Sequence, residues 1–189
     1  MPPVRPARRT YNAPGHAHEL TFSTYRRFRF LARDRVRGWF ADALATARAK
    51  HDVAVWTYVV MPEHVHLLVR PRRAIYSIEE FRHDLKAPVG RRAFAYLEGH
   101  DPHWLPRLTR TRGTKTERLF WQPGAGYDRN VTDPKTLAAM IDYIHANPVR
   151  RRLCERPEDW SWSGAGWFLR GAPGPIPLDP IPPEWGVTD

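Results

Sequence analysis

Residues 55–69 read VWTYVVMPEHVHLLV. Two runs rich in Val, Leu, Tyr and Trp predict strands over residues 55–60 and 64–69. Pro62 has a fixed φ and no N–H, so it belongs to a tight connection over residues 61–63. Along the second run, a period of two puts His64 and His66 on one face and Val65 and Leu67 on the other. Two imidazoles at the mouth of a hairpin are able to share one divalent ion. They read equally well as polar residues on the wet face of a sheet, and the spacing selects no metal.

The neighbouring segments extend this hairpin into a fold. Upstream, residues 17–25 alternate as a strand, with Leu20, Phe22 and Thr24 on one face and Glu19, Thr21, Ser23 and Tyr25 on the other. Residues 33–49 follow as a helix with an apolar stripe of Val36, Phe40, Leu44 and Ala47. Downstream, residues 77–97 read as a second helix opened by Ser77 with Glu80 three positions on; Pro88 and Gly90 predict a break or kink in it. Residues 119–132 contain a short edge strand interrupted by Pro123, Gly124 and Gly126. Residues 134–146 form a third helix, with Asp133 as cap and Pro134 at its first position. Leu137, Met140, Ile141 and Ile144 face the core, Tyr143 points away from them, and Pro148 is expected to end or distort the helix. The order strand, helix, strand, strand, helix, strand, with a further helix, predicts an α+β fold of the ferredoxin-like split βαβ type. Its antiparallel sheet has helices packed on one side and the two His on the open face.

Charge points to the partner. Among 189 residues, 30 Lys and Arg stand against 20 Asp and Glu, a formal net charge of +10. That exceeds what solubility requires of a small domain and suits a polyanion. Arg26, Arg27 and Arg29 cluster beside Phe28 and Phe30. Residues 99–118 read as a long exposed loop carrying Arg107, Arg110, Arg112, Lys115 and Arg118, a composition suited to the backbone of a single-stranded or hairpin nucleic acid. Trp121, Gln122 and Tyr127 follow as candidate base-contacting residues, although packing explains an aromatic equally well. The single cysteine excludes an intrachain disulfide, no apolar run is long enough to span a bilayer, and the Pro- and Arg-rich start lacks the apolar core of a secretory signal. Residues 1–15 are expected to be a flexible basic arm, residues 16–168 the domain, and residues 169–189 an extended proline-rich tail.

Three ordered motifs carry a family resemblance: MPEHVHLLV, then Trp121-Gln122 with Tyr127 five residues later, then YIHANPVRR from Tyr143 to Arg151. Together they resemble the REP-associated tyrosine transposases, of the single-tyrosine HUH group. The resemblance implies a ferredoxin-like fold and a cytoplasmic, nucleoid-associated bacterial enzyme. It implies cleavage and rejoining of single-stranded DNA beside hairpins. It implies Tyr143 as nucleophile and His64, His66 and Asn147 as ligands of a divalent metal, Mg²⁺ or Mn²⁺. It also implies a homodimer in some relatives and a monomer in others. Two other readings stay open: a non-catalytic hairpin-binding module on the same scaffold, and a zinc-dependent hydrolase built on His64 and His66.

Overall fold

A computed structural model describes residues 12–124 and 126–186. The greater part of the predicted basic arm, residues 1–11, lies outside the described residues. The elements follow in the order β1 (Ala17–Ser23), α1 (Asp34–His51), β2 (Val53–Val60), β3 (His64–Pro71), α2 (Ile78–His100), β4 (Thr109–Arg112), β5 (Lys115–Arg118), β6 (Tyr127–Val131), α3 (Pro134–Arg150) and α4 (Ala165–Arg170). The main sheet is antiparallel with order β2-β3-β1-β6. With β1 central and the hairpin β2–β3 beside it, this is the ferredoxin-like arrangement.

The alternation in the hairpin sorts its side chains between two cores. Val65, Leu67 and Val69 of β3 join Leu20 and Phe22 of β1 against Phe40 and Leu44 of α1 and Phe81 and Leu85 of α2. On the opposite face, Leu68, Ala54 and Trp56 pack against Leu137, Met140, Ile141 and Ile144 of α3. Helices α1 and α2 therefore form the one-sided layer of the ferredoxin-like unit. The additional helix α3 roofs part of the face expected to be open. A bulge at Trp56, where Val55 pairs with Val69 but Thr57 with Leu68, lets both Val55 and Tyr58 face α1 and α2.

Three local expectations give way to packing. Pro88 lies inside an unbroken α2. The buried series Ile78, Phe81, Leu85, Val89, Ala93 and Leu97 runs through it at helical spacing, and this tertiary contact outweighs the one missing hydrogen bond. Pro148 likewise lies inside α3, which continues to Arg150. The predicted long loop at 99–118 is instead the end of α2, two short 3₁₀ turns and a two-stranded ribbon, β4–β5, in which Arg112 pairs with Lys115 across Gly113 at φ +57°.

The boundary expected at residue 168 falls within α4, and the chain beyond it runs back along β2. Asp179 N–H donates to Val55 O at 2.8 Å, and Val55 N–H to Asp179 Oδ2 at 2.7 Å. Ile176 and Trp185 are buried. No helix among the described residues is long and apolar enough to cross a membrane.

Candidate active site

The start of β3 and the end of α3 bound a cleft of about 460 Å³ lined by Glu19, Thr21, His64, His66, Tyr143 and Asn147, with Arg27, Tyr127 and Arg151 at its rim. Strand alternation explains the membership. Glu19, Thr21 and Ser23 share the face of β1 opposite Leu20 and Phe22, and the register sets Thr21 beside His66 and Ser23 beside His64.

The two imidazoles are buried with ring centroids 5.0 Å apart. Each has a carboxylate behind it. His66 Nδ1 lies 3.1 Å from Glu19 Oε1 and 2.8 Å from Thr21 Oγ1; His64 Nδ1 lies 3.2 Å from Glu63 Oε1. Since Thr21 Oγ1 donates to Glu19 at 2.6 Å and a carboxylate only accepts, both Nδ1 atoms carry the proton. The Nε2 lone pairs are then the ones available to the cleft, the tautomer in which His serves a metal. Burial, and secondarily the charge of His66, pushes His64 down to about 4, so it stays neutral at ordinary pH. Arg151 reaches Glu63 at 2.9 Å and ties the end of α3 to the hairpin.

Tyr143 and Asn147 are one helical turn apart, on the same side of α3. Tyr143 is 43% exposed, unlike the core aromatics, and its ring meets His66 edge-on at 5.7 Å. The Arg150 guanidinium lies 5.4 Å from its ring centre. Asn147 shows why a proline follows it. Pro148 has no N–H to give to Ile144 O, and Asn147 Nδ2 turns back to donate to Tyr143 O at 2.7 Å and toward Ile144 O at 3.4 Å. Its amide nitrogen is thereby committed to helix carbonyls, and Oδ1 is the atom left for the cleft.

Whether a divalent ion suits these groups is decided by the donor set. Among the described residues no group of three or more His, Cys, Asp or Glu is arranged to hold a metal. Two imidazole nitrogens and one amide oxygen are present, neutral donors without thiolate, compatible with Mn²⁺ or Mg²⁺. The residues fit such an ion.

Of the other expected nucleic-acid contacts, Arg27 and Tyr127 line the cleft. Arg26 and Arg27 both occupy left-handed backbone, φ +53° and +55°, a costly conformation for two successive non-glycine residues. Gln122 Oε1 accepts from Arg26 N–H at 3.3 Å and so fastens this turn. Tyr127 follows Gly126, whose φ is +73° and whose absent Cβ would stand 2.3 Å from Thr21 O; only glycine permits that approach of β6 to β1. Arg29 is exposed beyond the turn. Arg107 is stacked on Trp104 at 4.1 Å, Arg110 is paired with Glu117 and Arg118 with Glu98, while Arg112 and Lys115 stand exposed at the ribbon tip. Trp121 is largely buried, T-shaped against Phe22 and Phe120, with its Nε1–H bonded to Lys86 O at 2.9 Å, and it also lines a surface groove with Lys86 and Arg118. Glu19, Thr21 and Arg151 belong to the cleft without having been singled out from sequence. The only signal for the first two is their place on the polar face of β1.

The chain as a whole has relatives among known proteins. A Haemophilus influenzae protein named as a REP-associated tyrosine transposase is 25% identical over 172 residues, covering 84% of this chain and 85% of its own. The chain is similar to the REP-associated tyrosine transposases. A solved REP-associated tyrosine transposase, described as bound to a REP hairpin, has the same fold: TM-score 0.67, 18% identity, over 94% of this chain and 99% of that one. A Deinococcus radiodurans structure described as a transposase covers 78% of this chain and 97% of its own at TM-score 0.44 and 22% identity. No family model matches the chain.

Proposed function

We propose that the protein is a metal-dependent single-stranded DNA endonuclease and strand transferase that works beside DNA hairpins through a covalent phosphotyrosine. The observation that carries this reading is the exposed Tyr143, 5.7 Å ring to ring from His66 and in one cleft with His64 and Asn147. The likeness to REP-associated tyrosine transposases, one of them solved with a REP hairpin, supports the hairpin as partner. The net charge of +10 supports a polyanion in the cleft.

The chemistry follows from the side chains. A divalent ion, held by His64 Nε2, His66 Nε2 and Asn147 Oδ1 when bound, withdraws charge from a phosphodiester. Tyr143 Oη attacks phosphorus, the bond to the 3′ oxygen breaks, and that oxygen takes up the proton the phenol gives up. The products are a tyrosine–phosphate ester and a free 3′-hydroxyl, and the ester keeps the bond available for rejoining. Glu19 and Glu63 hold the imidazoles in orientation, and Arg27 and Arg151 offer charge to the phosphate oxygens.

The non-catalytic module has the same fold and charge but gives no reason for an exposed tyrosine against a carboxylate-backed His pair. For the zinc hydrolase, no third His, Cys, Asp or Glu among the described residues is arranged with the His pair to hold the ion: His83 is exposed on α2, and the His145 ring is engaged by Thr57 at 2.7 Å. The test is incubation of end-labelled hairpin DNA with protein and Mn²⁺ or Mg²⁺, followed by denaturation. A protein-linked DNA species present in the natural protein and absent in Tyr143→Phe is expected. Metal-dependent cleavage with no linked species, unchanged in Tyr143→Phe, contradicts the proposal.

A further inference from the structure

On the α1–α2 side, away from the His pair, a second cavity of about 590 Å³ lies between the start of α1 and the end of α2. Five aromatic rings line it: Phe30, Trp39, Tyr96, Trp104 and Phe120. Protein interiors close over aromatic rings and leave few voids larger than a water molecule. Here a hollow remains although the rings pack against one another in two groups, with Phe30 stacked on Phe120 at 5.4 Å. Trp39 and Tyr96, on α1 and α2, are 6.0 Å apart and tilted, while Trp104, in the 3₁₀ turn after α2, lies 5.1 Å edge-on to Phe30. Arg29, Arg33 and Arg35 line the cavity against the two carboxylates Asp34 and Asp101, and Arg35 is held 4.2 Å over the Tyr96 ring.

This cavity is joined to the candidate active site. Arg27 lines both the cleft and a shallow groove at Pro62, Glu63 and Arg151; Arg29 lines both that groove and the aromatic cavity. A run of arginines therefore leads from Tyr143 around the end of the sheet to a ring-lined hollow. Cationic tracks that end on aromatic faces suit single-stranded nucleic acid, whose phosphates follow the charges while its bases stack.

We propose that the cavity receives one unpaired nucleobase of the single-stranded flank whose phosphate lies in the cleft. The proposal rests on the reading under Proposed function, and it assigns base contact to a site separate from Trp121, Gln122 and Tyr127. Phosphate contacts along Arg27 and Arg29 set register, and the seated base fixes which phosphate reaches Tyr143.

The test is a ladder of hairpin DNAs, each with a single abasic nucleotide at a successive flank position. Affinity is measured with Tyr143→Phe protein so that no strand is cut. One position is expected to weaken binding roughly 5- to 150-fold, the worth of one base–aromatic stack. The same abasic DNA is expected to cost nothing further when Trp39→Leu or the exposed Arg35→Gln is added; the second variant removes a rim charge without touching the core. Equal binding of every ladder member, or a sensitive position that stays equally sensitive in both added variants, overturns the proposal. If hairpin DNA binds and the natural protein forms its Tyr143 adduct while the ladder is flat, the cavity assignment alone falls. If no hairpin binds and no adduct forms, the functional reading falls and the cavity assignment with it.

Discussion

At the scale of single residues, the cleft depends on groups that touch no substrate. Glu19 and Glu63 select the Nδ1–H tautomers of His66 and His64. Glu19→Gln and Glu63→Gln are each expected to lower Mn²⁺ affinity roughly 10- to 100-fold, read by titration calorimetry. Unchanged affinity in both would show that the rings are oriented by packing alone. Lys86 is a cation whose burial costs stability. It lies on α2 with its Nζ 5.5 Å from the Phe22 ring centre, has no carboxylate partner among the described residues, and is pushed down to about 8 by burial. The unfolded chain holds that proton to about pH 10.5, so it binds more protons than the folded chain across the window from 8 to 10.5. Stability should therefore rise with pH in that window. Lys86→Met is expected to remove the rise and to add about 1–3 kcal/mol at neutral pH. Chemical denaturation at pH 7 and pH 9.5 checks this; equal pH dependence in protein and variant would contradict it.

At the scale of elements, the covering of β2 decides how the chain meets other copies of itself. Val60 N–H donates to Trp162 O at 2.8 Å and Gly164 N–H to Tyr58 O at 2.9 Å, joining β2 to residues 162–164, and Asp179 continues the cover at Val55. An edge strand so paired is not free to extend a sheet into a second chain. Because Tyr143 also sits against His66 of its own chain, a monomer is expected, with a single mass by light scattering at low and moderate salt while activity persists. A stable dimer required for activity would contradict it. Asp179 is the fastening, since it also accepts from Arg72 at 2.8 Å and pairs with Arg48. Asp179→Ala is expected to cost about 1–3 kcal/mol, by leaving Val55 N–H without its acceptor, and to promote self-association through β2. These elements were unequally legible in sequence. The hairpin was readable because Pro62 and the apolar alternation on both sides agree, and α3 because its cap, Pro134 and stripe agree. The ribbon β4–β5 was not, because Thr109 to Arg118 lacks the apolar positions on which a period of two is counted. Pro88 and Pro148 misled because local propensity is worth less than the buried faces that run past them.

At the scale of the whole molecule, the proposed function divides the work: charge would supply affinity and the cleft chemistry. The ribbon's expected contribution narrows to the cations with no ion pair among the described residues: with Arg110 and Arg118 paired, Arg112→Ala with Lys115→Ala should flatten the slope of log affinity against log salt by about 1.4–1.8 for two lost phosphate contacts. An unchanged slope in competition binding would remove the ribbon from the DNA track. The His pair, Tyr143 and Asn147 were legible as motifs because each needs a fixed spacing. Their convergence followed only from the family resemblance and not from the residues themselves, since it depends on α3 crossing the face that strand alternation alone leaves open, and nothing in residues 134–150 states which face that is. Trp121 could not be sorted between core and groove from sequence for a related reason: core and stacking aromatics share one composition. The central claim is that Tyr143 carries the severed DNA. The most direct measurement is mass spectrometry of protein reacted with hairpin DNA and Mn²⁺, digested with protease and nuclease, to find which side chain bears the nucleotide phosphate. The account predicts the modification on the peptide containing Tyr143 and on no other tyrosine. A nucleotide on Tyr127 or another residue, or cleaved DNA with every peptide unmodified, would contradict it.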